Sequence, residues 1–481
     1  MKQNLILTTA LLSLGFAKAQ TTIVQDTYEK NDKPVSYELL FKKQQVIICK
    51  GKKIGGLVAG SQTNNIYSYD FSGNKTPVVE NEKLYQCNYS NSEKTLRVVD
   101  ISNGLFKATV KYLVDGKFTN PILMDQSNAY RRYFPFYDNF TDKYEVRLTN
   151  QQNKDNIDYQ KDNLNLSVVD FTNKKRKSYK LEKPNIARLT SGSFVQPDKK
   201  LGLNYRINDD DSFDFITKSI VSDYSKTTLY KTTYSLSDGK ISSDIGYELN
   251  LSGKYFIYSN NGAGFTDTPA NNSQPYFDDD LFINNYITDK NNGDIYVYGL
   301  YSDKPAALNK EVIPRGYYVF KFDKTGKKIW ESINKIDDKD LNGKHYMYYT
   351  STGLYFINDK LCFYAFVNEH DEYLDYGLLD KNNGNQVKAS KIVFHEYESR
   401  IGVGSDFFKL DYEYKDIKEL KNKKFNIMGI IAYQLNDKFA NYVKSVKAKN
   451  ETHFMTTFNE AGLFVVETDN DDYYKVTYFK D

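Results

Sequence analysis

The sequence predicts an all-β fold, and three observations support that prediction. Short segments that alternate between apolar and polar residues recur along the 481-residue chain. Turns rich in Asp, Asn and Gly separate these segments. The chain also contains 42 tyrosines and 30 phenylalanines, which suit the half-buried surface of a strand.

The segment 316–333 shows the repeating unit most clearly. Its first half is predicted to be a strand with aromatic side chains on one face, and its second half a strand with Ile329 and Ile333 on one face. The sequence Asp-Lys-Thr-Gly at 323–326 predicts a bulged hairpin between them, because Asp favours the turn start and Gly tolerates a left-handed backbone. Similar turns are marked by Asp70, Asp100, Asp170, Asp238, Asp323 and Asp380.

A unit of four strands buries both of its faces only by stacking on its neighbours, which favours a closed array. The sequence therefore predicts a β-propeller of about seven four-stranded blades, formed as a single domain by residues 20–481. Tandem β-sandwich domains are the alternative, although their strands would recur in Greek-key sevens rather than in fours. Residues 21–24 are predicted to complete the last sheet.

The N-terminus has the features of a secretory signal peptide. Lys2 precedes the apolar run 5–16, and Ala17-Lys18-Ala19 is a small-x-small cleavage site. We therefore expect residues 1–19 to be removed, and the protein to be exported to the periplasm or cell surface. No later apolar run approaches the roughly 18 residues that a spanning helix needs, so no transmembrane segment is predicted.

Three segments depart from the strand pattern. A helical insertion at 412–448 is predicted, with helices at 414–424 and 436–448, while 425–433 is predicted to be a strand of the seventh blade. The segment 260–280 is predicted to be an exposed loop that serves in binding or as a lid.

A calcium loop is the metal site that the sequence indicates. Asp338, Asp340 and Asn342, followed by Gly343, match the first half of a D-x-[DN]-x-[DN]-G loop, whose alternate oxygens point at one cation. Tyr349 stands where such a loop places a bidentate Glu, so another segment would have to complete the shell. The sequence predicts no cofactor, and an ion bound at this loop would be a structural calcium ion.

Several other classes of function are excluded or disfavoured. The chain carries 65 Lys and Arg against 62 Asp and Glu, which disfavours a nucleic-acid partner. Its four histidines lack zinc-site spacing, and the chain has no G-x-S-x-G elbow and no P-loop. Cys362, one of three cysteines, lies in an apolar run and is predicted to be a core residue.

The signal peptide, the recurring strand units and the Tyr-, Asn- and Lys-rich composition resemble exported β-propeller-like proteins of Bacteroidota. This resemblance implies a non-catalytic interaction or scaffold protein with a protein partner. One form would be a soluble periplasmic subunit of an outer-membrane secretion complex.

Two alternatives stay open. One is a polysaccharide-binding or glycoside-cleaving propeller, with acids and stacked Tyr or Trp330 in a central funnel. The other is a surface protein of the type 9 route, because the tail from Ala461 onward resembles the end of that pathway's C-terminal sorting domain.

Overall fold

Antiparallel strands form most of the regular structure. The computed structural model describes residues 20–27, 36–41, 45–53, 62–83, 86–89, 96–100, 109–114, 117–118, 120, 122–123, 139–140, 144–150, 164–170, 175–180, 205–207, 211–218, 225–256, 285–289, 291–304, 315–336, 350–357, 359–367, 372–400, 405–410, 422–447, 451–459, 462–469 and 473–480. The predicted signal peptide and the proposed calcium ligands Asp338, Asp340 and Asn342 lie outside these residues.

The first strand is β1 (Gln20–Thr27), and five sheets with their strands in chain order follow it. The first sheet contains β2 (Ser36–Phe41), β3 (Gln45–Lys53), β4 (Gln62–Asp70) and β5 (Lys75–Lys83). The second contains β6 (Gln86–Tyr89), β7 (Leu96–Asp100), β8 (Thr109–Val114), β9 (Lys117–Phe118) and β10 (Ile122–Leu123). The third contains β11 (Asn139–Phe140), β12 (Tyr144–Asn150), β13 (Leu164–Asp170) and β14 (Lys175–Lys180).

The fourth sheet contains β15 (Tyr205–Ile207), β16 (Ser212–Lys218), β17 (Lys226–Ser235) and β18 (Ile241–Asn250). The fifth contains β19 (Tyr255–Phe256), β20 (Asn285–Thr288), β21 (Ile295–Ser302), β22 (Gly316–Phe322) and β23 (Lys328–Lys335). Both β19 and β20 pair with β21, so the first strand of this sheet is interrupted.

The last sheet has ten strands and joins two groups edge to edge. Its first four strands form what we call the sixth group. They are β24 (Thr350–Ile357), β25 (Lys360–Val367), β26 (Glu372–Asp380) and β27 (Gln386–Arg400). The strands β28 (Ser405–Leu410) and β29 (Lys423–Phe425) connect these to β30 (Thr452–Asn459), β31 (Gly462–Asp469) and β32 (Tyr473–Phe479). The N-terminal β1 pairs with β32 as the outermost strand, so the predicted role of residues 21–24 is confirmed.

The recurring four-stranded meander is the strand order of propeller blades, not of a Greek-key sandwich. Counting the last sheet as two groups, the described strands form seven successive groups. The predicted fold class, all-β and propeller-like with about seven four-stranded blades, is therefore confirmed.

Two helices pack on one face of the last sheet. They are α1 (Ile427–Leu435) and α2 (Asp437–Ser445), and asparagines at 426 and 436 cap their N-termini. The prediction of a strand at 425–433 is wrong, because most of that segment is α1. The helix predicted at 414–424 lies largely outside the described residues, and its last residues belong to β29. Within the described part of the chain, neither helix is long and apolar enough to cross a membrane.

The described residues fall into two compact units, which we treat separately. One unit holds the described residues of 20–87, 98–100 and 392–480, and the other holds those of 88–97 and 109–391. In the first unit, Ile23 of β1 and Val466 of β31 share a buried cluster with Ile48 of β3, so the last sheet packs on the first. In the second unit, similar clusters join the fourth sheet to the fifth and the fifth to the sixth-group strands.

The hairpin turns that end these meanders share one construction. In the turn after β22, the Asp323 carboxylate accepts hydrogen bonds from the backbone N–H groups of Thr325 at 2.8 Å and Lys327 at 3.1 Å. A hydrogen bond from the Thr325 hydroxyl has the largest lowering effect on the pKa of Asp323, and these amides add to it. The pKa therefore lies below its ordinary value. Gly326 has φ of 91°, and a bulge shifts the register between Lys321 and Phe322, which confirms the predicted bulged hairpin.

Each turn glycine also packs on the outer strand of the preceding group. A Cβ atom added at the glycine would approach an atom of that strand: Ile23 O at 3.0 Å from Gly73, Tyr179 Cβ at 2.5 Å from Gly239, Gly246 O at 2.7 Å from Gly326, and Trp330 Cε3 at 2.5 Å from Gly384. The contact of Gly73 with β1 repeats, within the first unit, the arrangement seen three times in the second. The first sheet therefore meets the last as successive sheets meet one another.

A buried ion pair adds to the contact between the fifth sheet and the sixth group. Lys381 Nζ lies 2.5 Å from Asp289 Oδ2, and the Asp289 side chain is almost fully buried. Desolvation by burial raises the pKa of Asp289, but the Lys381 ammonium, the Asn291 amide and the Lys321 charge outweigh it, so the pKa lies below its ordinary value. In the same turn, the Lys381 carbonyl accepts a hydrogen bond from the Trp330 indole N–H at 3.2 Å.

We predict that Gly326→Ala destabilises the protein more than Gly253→Ala. Both glycines have positive φ, at 91° and 86°, so both substitutions carry the left-handed strain of about 1–2 kcal/mol. Only Gly326 also meets a neighbouring strand, whereas nothing lies within 4 Å of a Cβ atom at Gly253. Denaturant unfolding measures the difference, and equal losses of unfolding free energy would show that the turn contact contributes nothing.

We also predict that Lys381→Met lowers the unfolding free energy by about 2 kcal/mol at pH 7, because it leaves the Asp289 carboxylate buried without its cation. The folded pKa of Asp289 is depressed, so this contribution is present above pH ~4 and disappears as the pH falls through the folded value. Lys360→Met is the matched control, because Lys360 pairs at 3.0 Å with Asp359, whose side chain is 72% exposed. We expect that control to cost less than about 0.5 kcal/mol.

Candidate functional site

The two ends of the fifth sheet differ in the lengths of their connections. At one end, tight turns join β20 to β21 and β22 to β23. At the other end, the longer segments 257–284 and 305–314 leave the sheet and return to it, and 337–349 leaves it. The register shows that these segments share an end, since Tyr255 pairs with Ser302, Tyr301 with Gly316, and Gly316 with Lys335. We call this the loop end of the fifth sheet.

Both loops that the sequence singled out start from the loop end. The predicted binding or lid loop 260–280 lies in 257–284, which leaves after Phe256 and returns at Asn285. The proposed calcium ligands lie in 337–349, which follows Ile336. These loop residues lie outside the described part of the chain, so the structure defines where the loops are anchored, and the calcium site stays a prediction.

Charged side chains gather at the loop anchors. Asp303 follows β21, and its two carboxylate oxygens lie 3.6 Å from Lys254 Nζ and 3.6 Å from Arg315 Nε. The backbone of Arg315 donates to the Tyr301 carbonyl at 2.8 Å and accepts from the Ile336 N–H at 3.0 Å. Residues next to all three segments are therefore joined by one network, which we call the anchor cluster: Lys254, Tyr301, Asp303 and Arg315.

The electrostatics of the anchor cluster favour a positioning role over acid–base chemistry. Lys254 Nζ lies 4.5 Å from the centre of the Tyr301 ring, a favourable cation–π distance. Burial and then the nearby Asp303 charge raise the pKa of Tyr301 to about 12, so this hydroxyl stays protonated at neutral pH. The Asp303 side chain is 58% exposed, and such solvated ion pairs are worth roughly 0–1 kcal/mol.

The fit of Tyr301 into the sheet depends on Gly316. A Cβ atom at Gly316 would lie 2.5 Å from the Tyr301 hydroxyl and 2.0 Å from the Asn334 carbonyl. Only glycine leaves room for the tyrosine ring beside this strand. The absence of a side chain at Gly316 therefore fixes the position of the Tyr301 ring in the anchor cluster.

Other chemically reactive groups in the described residues are tied to structural partners. The buried Asp214 accepts from the Thr233 hydroxyl at 2.6 Å and lies 3.8 Å from Lys231 Nζ. Across the described ranges, no group of three or more His, Cys, Asp or Glu side chains could hold a metal ion. Burial raises the pKa of the Cys362 thiol to about 12, and its side chain is fully buried, which confirms the prediction of a core residue.

Trp330 cannot serve as the sugar platform that the polysaccharide alternative requires. Its side chain is only 9% exposed, and its indole lies against Gly384 while its N–H donates to the Lys381 carbonyl. The neighbouring Ile329 is 47% exposed, although the sequence predicted an ordered apolar face there. On β23 the buried side chain is therefore Trp330 and not Ile329.

Comparisons with known proteins identify no family. No family model matches the chain, and no curated protein matches it. Among solved structures, it is similar to an uncharacterized protein of Listeria monocytogenes, with 11% identity and a TM-score of 0.39 over 80% of this chain and 92% of the other.

Two further similarities are with peptidases. An acylaminoacyl peptidase of Pyrococcus horikoshii gives 11% identity and a TM-score of 0.34 over 90% of this chain, which spans 57% of the peptidase. The β-propeller domain of the Trilobed protease from Pyrococcus furiosus gives 10% identity and a TM-score of 0.30 over 78% of this chain and 95% of that domain. All of these scores are low, so the similarities carry no argument about function.

We predict that the unfolding free energy of the Tyr301→Phe variant falls less steeply at alkaline pH than that of the wild type. The folded pKa of Tyr301, about 12, exceeds the ordinary value near 10, so its contribution is complete below pH 10 and is lost as the pH rises toward 12. The advantage of the wild type over the variant should shrink in that window by up to about 1.4 kcal/mol per pH unit. Denaturant unfolding from pH 8 to 11.5 measures this, and a constant difference would contradict the assignment.

Proposed function

We propose that this protein is an exported, non-catalytic interaction protein whose contact surface is the loop end of the fifth sheet. The observation that carries the proposal is the concentration of long segments at one end of a sheet that is buried on both faces. Loops placed on a rigid scaffold are the usual carriers of binding function. The partner that we infer is a protein, because a broad set of polar loops suits protein contact better than small-molecule enclosure.

The packing around the fifth sheet supports the rigidity that this role requires. Tyr318 and Phe320 pack toward the fourth sheet, while Tyr317 packs toward the sixth group. The Tyr317 ring stacks on Phe363 with ring centres 4.2 Å apart and planes 6° apart. Because neighbouring sheets hold both faces, the anchor cluster keeps a fixed geometry whichever conformation the loops adopt.

The features of residues 1–19 support export, and the mature chain would then start at Gln20. In the periplasm, the partner that we infer is an outer-membrane assembly, with this protein as a soluble subunit. Mass spectrometry of the exported protein tests the first point, because the N-terminal peptide should begin at Gln20.

Neither alternative has an observation in its favour. The buried position of Trp330 removes one of the aromatic platforms named for polysaccharide binding. The tail that resembles a type 9 sorting domain forms β31 and β32, and its Phe464 and Val476 belong to the core shared with the first sheet. A sheet-closing role therefore accounts for this tail without a sorting signal.

We predict that shortening 260–280 to a Gly-Ser linker reduces recovery of the co-purifying partner at least tenfold in an affinity pull-down from periplasm and outer membrane. The matched control is Lys324→Ala with Lys327→Ala, two exposed residues in the turn at the opposite end of the same sheet. This control should retain the partner, and both variants should keep the wild-type unfolding midpoint. Recovery of the wild type alone, or full recovery with the shortened loop, would overturn the proposal.

A further inference from the structure

The outer strand of the third sheet is strongly basic. The strand β14 has the sequence KRKSYK, with Lys175, Arg176, Lys177 and Lys180 and no acid, and Lys174 precedes it. Other outer strands carry acidic residues. The strand β18 carries Asp244 and Glu248, and in β23 the Lys328 ammonium lies 2.5 Å from Glu331.

Two basic side chains of β14 are described, and no described carboxylate pairs with them. Lys177 and Lys180 are both exposed, and among the described residues no carboxylate lies within ion-pair distance of either. Opposite them on β13 stand Val168 and Asn165, so the pairing strand does not neutralise them. An anionic partner could bind here without first breaking an internal ion pair.

The run of like charges exceeds what edge protection requires. One or two lysines are enough to keep an edge strand from pairing with other chains. Lys174 to Lys177 are four consecutive cations, against which the paired strand β13 sets one acid, Asp170, opposite Lys175. Like charges at this spacing repel and weaken the sheet. A bound anion would relieve that repulsion.

The backbone of β14 offers a second means of recognition. In the described part of the chain, β14 pairs with β13 alone, so no described strand occupies its other edge. The face of the strand is already fixed, because the Tyr179 hydroxyl donates to the Ser237 carbonyl and Gly239 lies against the ring. The edge is therefore held in place and available for pairing.

We propose that the outer edge of β14 binds an extended, acidic polypeptide segment by strand addition. Backbone hydrogen bonds would align the added strand, and its carboxylates would meet the lysines on both faces of β14. A polypeptide fits better than a polysaccharide or a membrane, because only a polypeptide satisfies the edge groups as well as the charges. This surface is independent of the loop end of the fifth sheet.

The test uses a fluorescein-labelled ten-residue peptide in which Glu pairs alternate with Thr pairs, so that carboxylates lie on both faces of the added strand, with fluorescence anisotropy on the full-length protein. Binding should weaken with salt. Lys177→Gln with Lys180→Gln should weaken it about tenfold, as expected when two ion pairs of about 0.7 kcal/mol each are lost. The control Lys324→Gln with Lys327→Gln removes the same charge at exposed turn positions and should bind within twofold of the wild type.

A second probe separates strand addition from simple charge attraction. The same peptide with N-methyl groups on alternate residues keeps its carboxylates and loses backbone donors along one edge, so it should bind at least tenfold more weakly. Equal binding of the two peptides, no binding by the wild type, or equally tight binding of dextran sulfate or anionic vesicles would overturn the proposal. The Lys177 and Lys180 variant should still recover the loop-end partner, which keeps the two proposals distinguishable.

Discussion

The contact between a turn glycine and the outer strand of the preceding group is the constraint on which the described architecture depends. The aspartate turns the chain, the glycine supplies a left-handed backbone, and the absence of a side chain lets the turn approach its neighbour closely. Gly326 on β18 and Gly384 on Trp330 place successive sheets in the same relation. Gly73 contacts β1 in the same way. The N-terminal strand β1 therefore occupies the position of an outer strand.

This constraint explains why the two ends of a sheet have different roles. A turn that must pack on the neighbouring strand cannot lengthen without losing its glycine contact. The connections at the opposite end have no such restriction, and in the fifth sheet they include 257–284 and 337–349. The anchor cluster then needs only to hold the loop ends, which Arg315 does through backbone hydrogen bonds to Tyr301 and Ile336. The turn contacts that stabilise the packing and the surface that we propose for binding therefore lie at opposite ends of the same strands.

The sequence was most informative where structure is local. Turn residues and strand alternation located the hairpin at 323–326 and its bulge, because short-range backbone preferences determine both. The start of β23 was harder to predict, since the bulge leaves Ile329 without a register partner, while Ile333 still packs on the core between the fourth and fifth sheets. Trp330 is therefore buried and Ile329 exposed.

The helix at 427–435 was mistaken for a strand because a short apolar run has no diagnostic period. The signal that could have identified it is Asn426, whose side chain accepts from the Gly429 N–H as an N-cap. The anchor cluster and the Asp289 to Lys381 pair could not be predicted at all. Each joins residues far apart in sequence, and single-sequence periodicity carries no information about such contacts.

The two faces of the last strands pack on different elements. One face, with Phe464 and Val466, packs on the first sheet. On the other face, Phe439 of α2 lies against Phe454 and Phe479 with ring centres 6.2 Å and 6.0 Å apart. The helices thus bury the aromatic surface of β30 and β32 that faces away from the first sheet. Since β1 and β32 come from opposite ends of the chain, this sheet has the longest-range pairing and should be the last to form during folding.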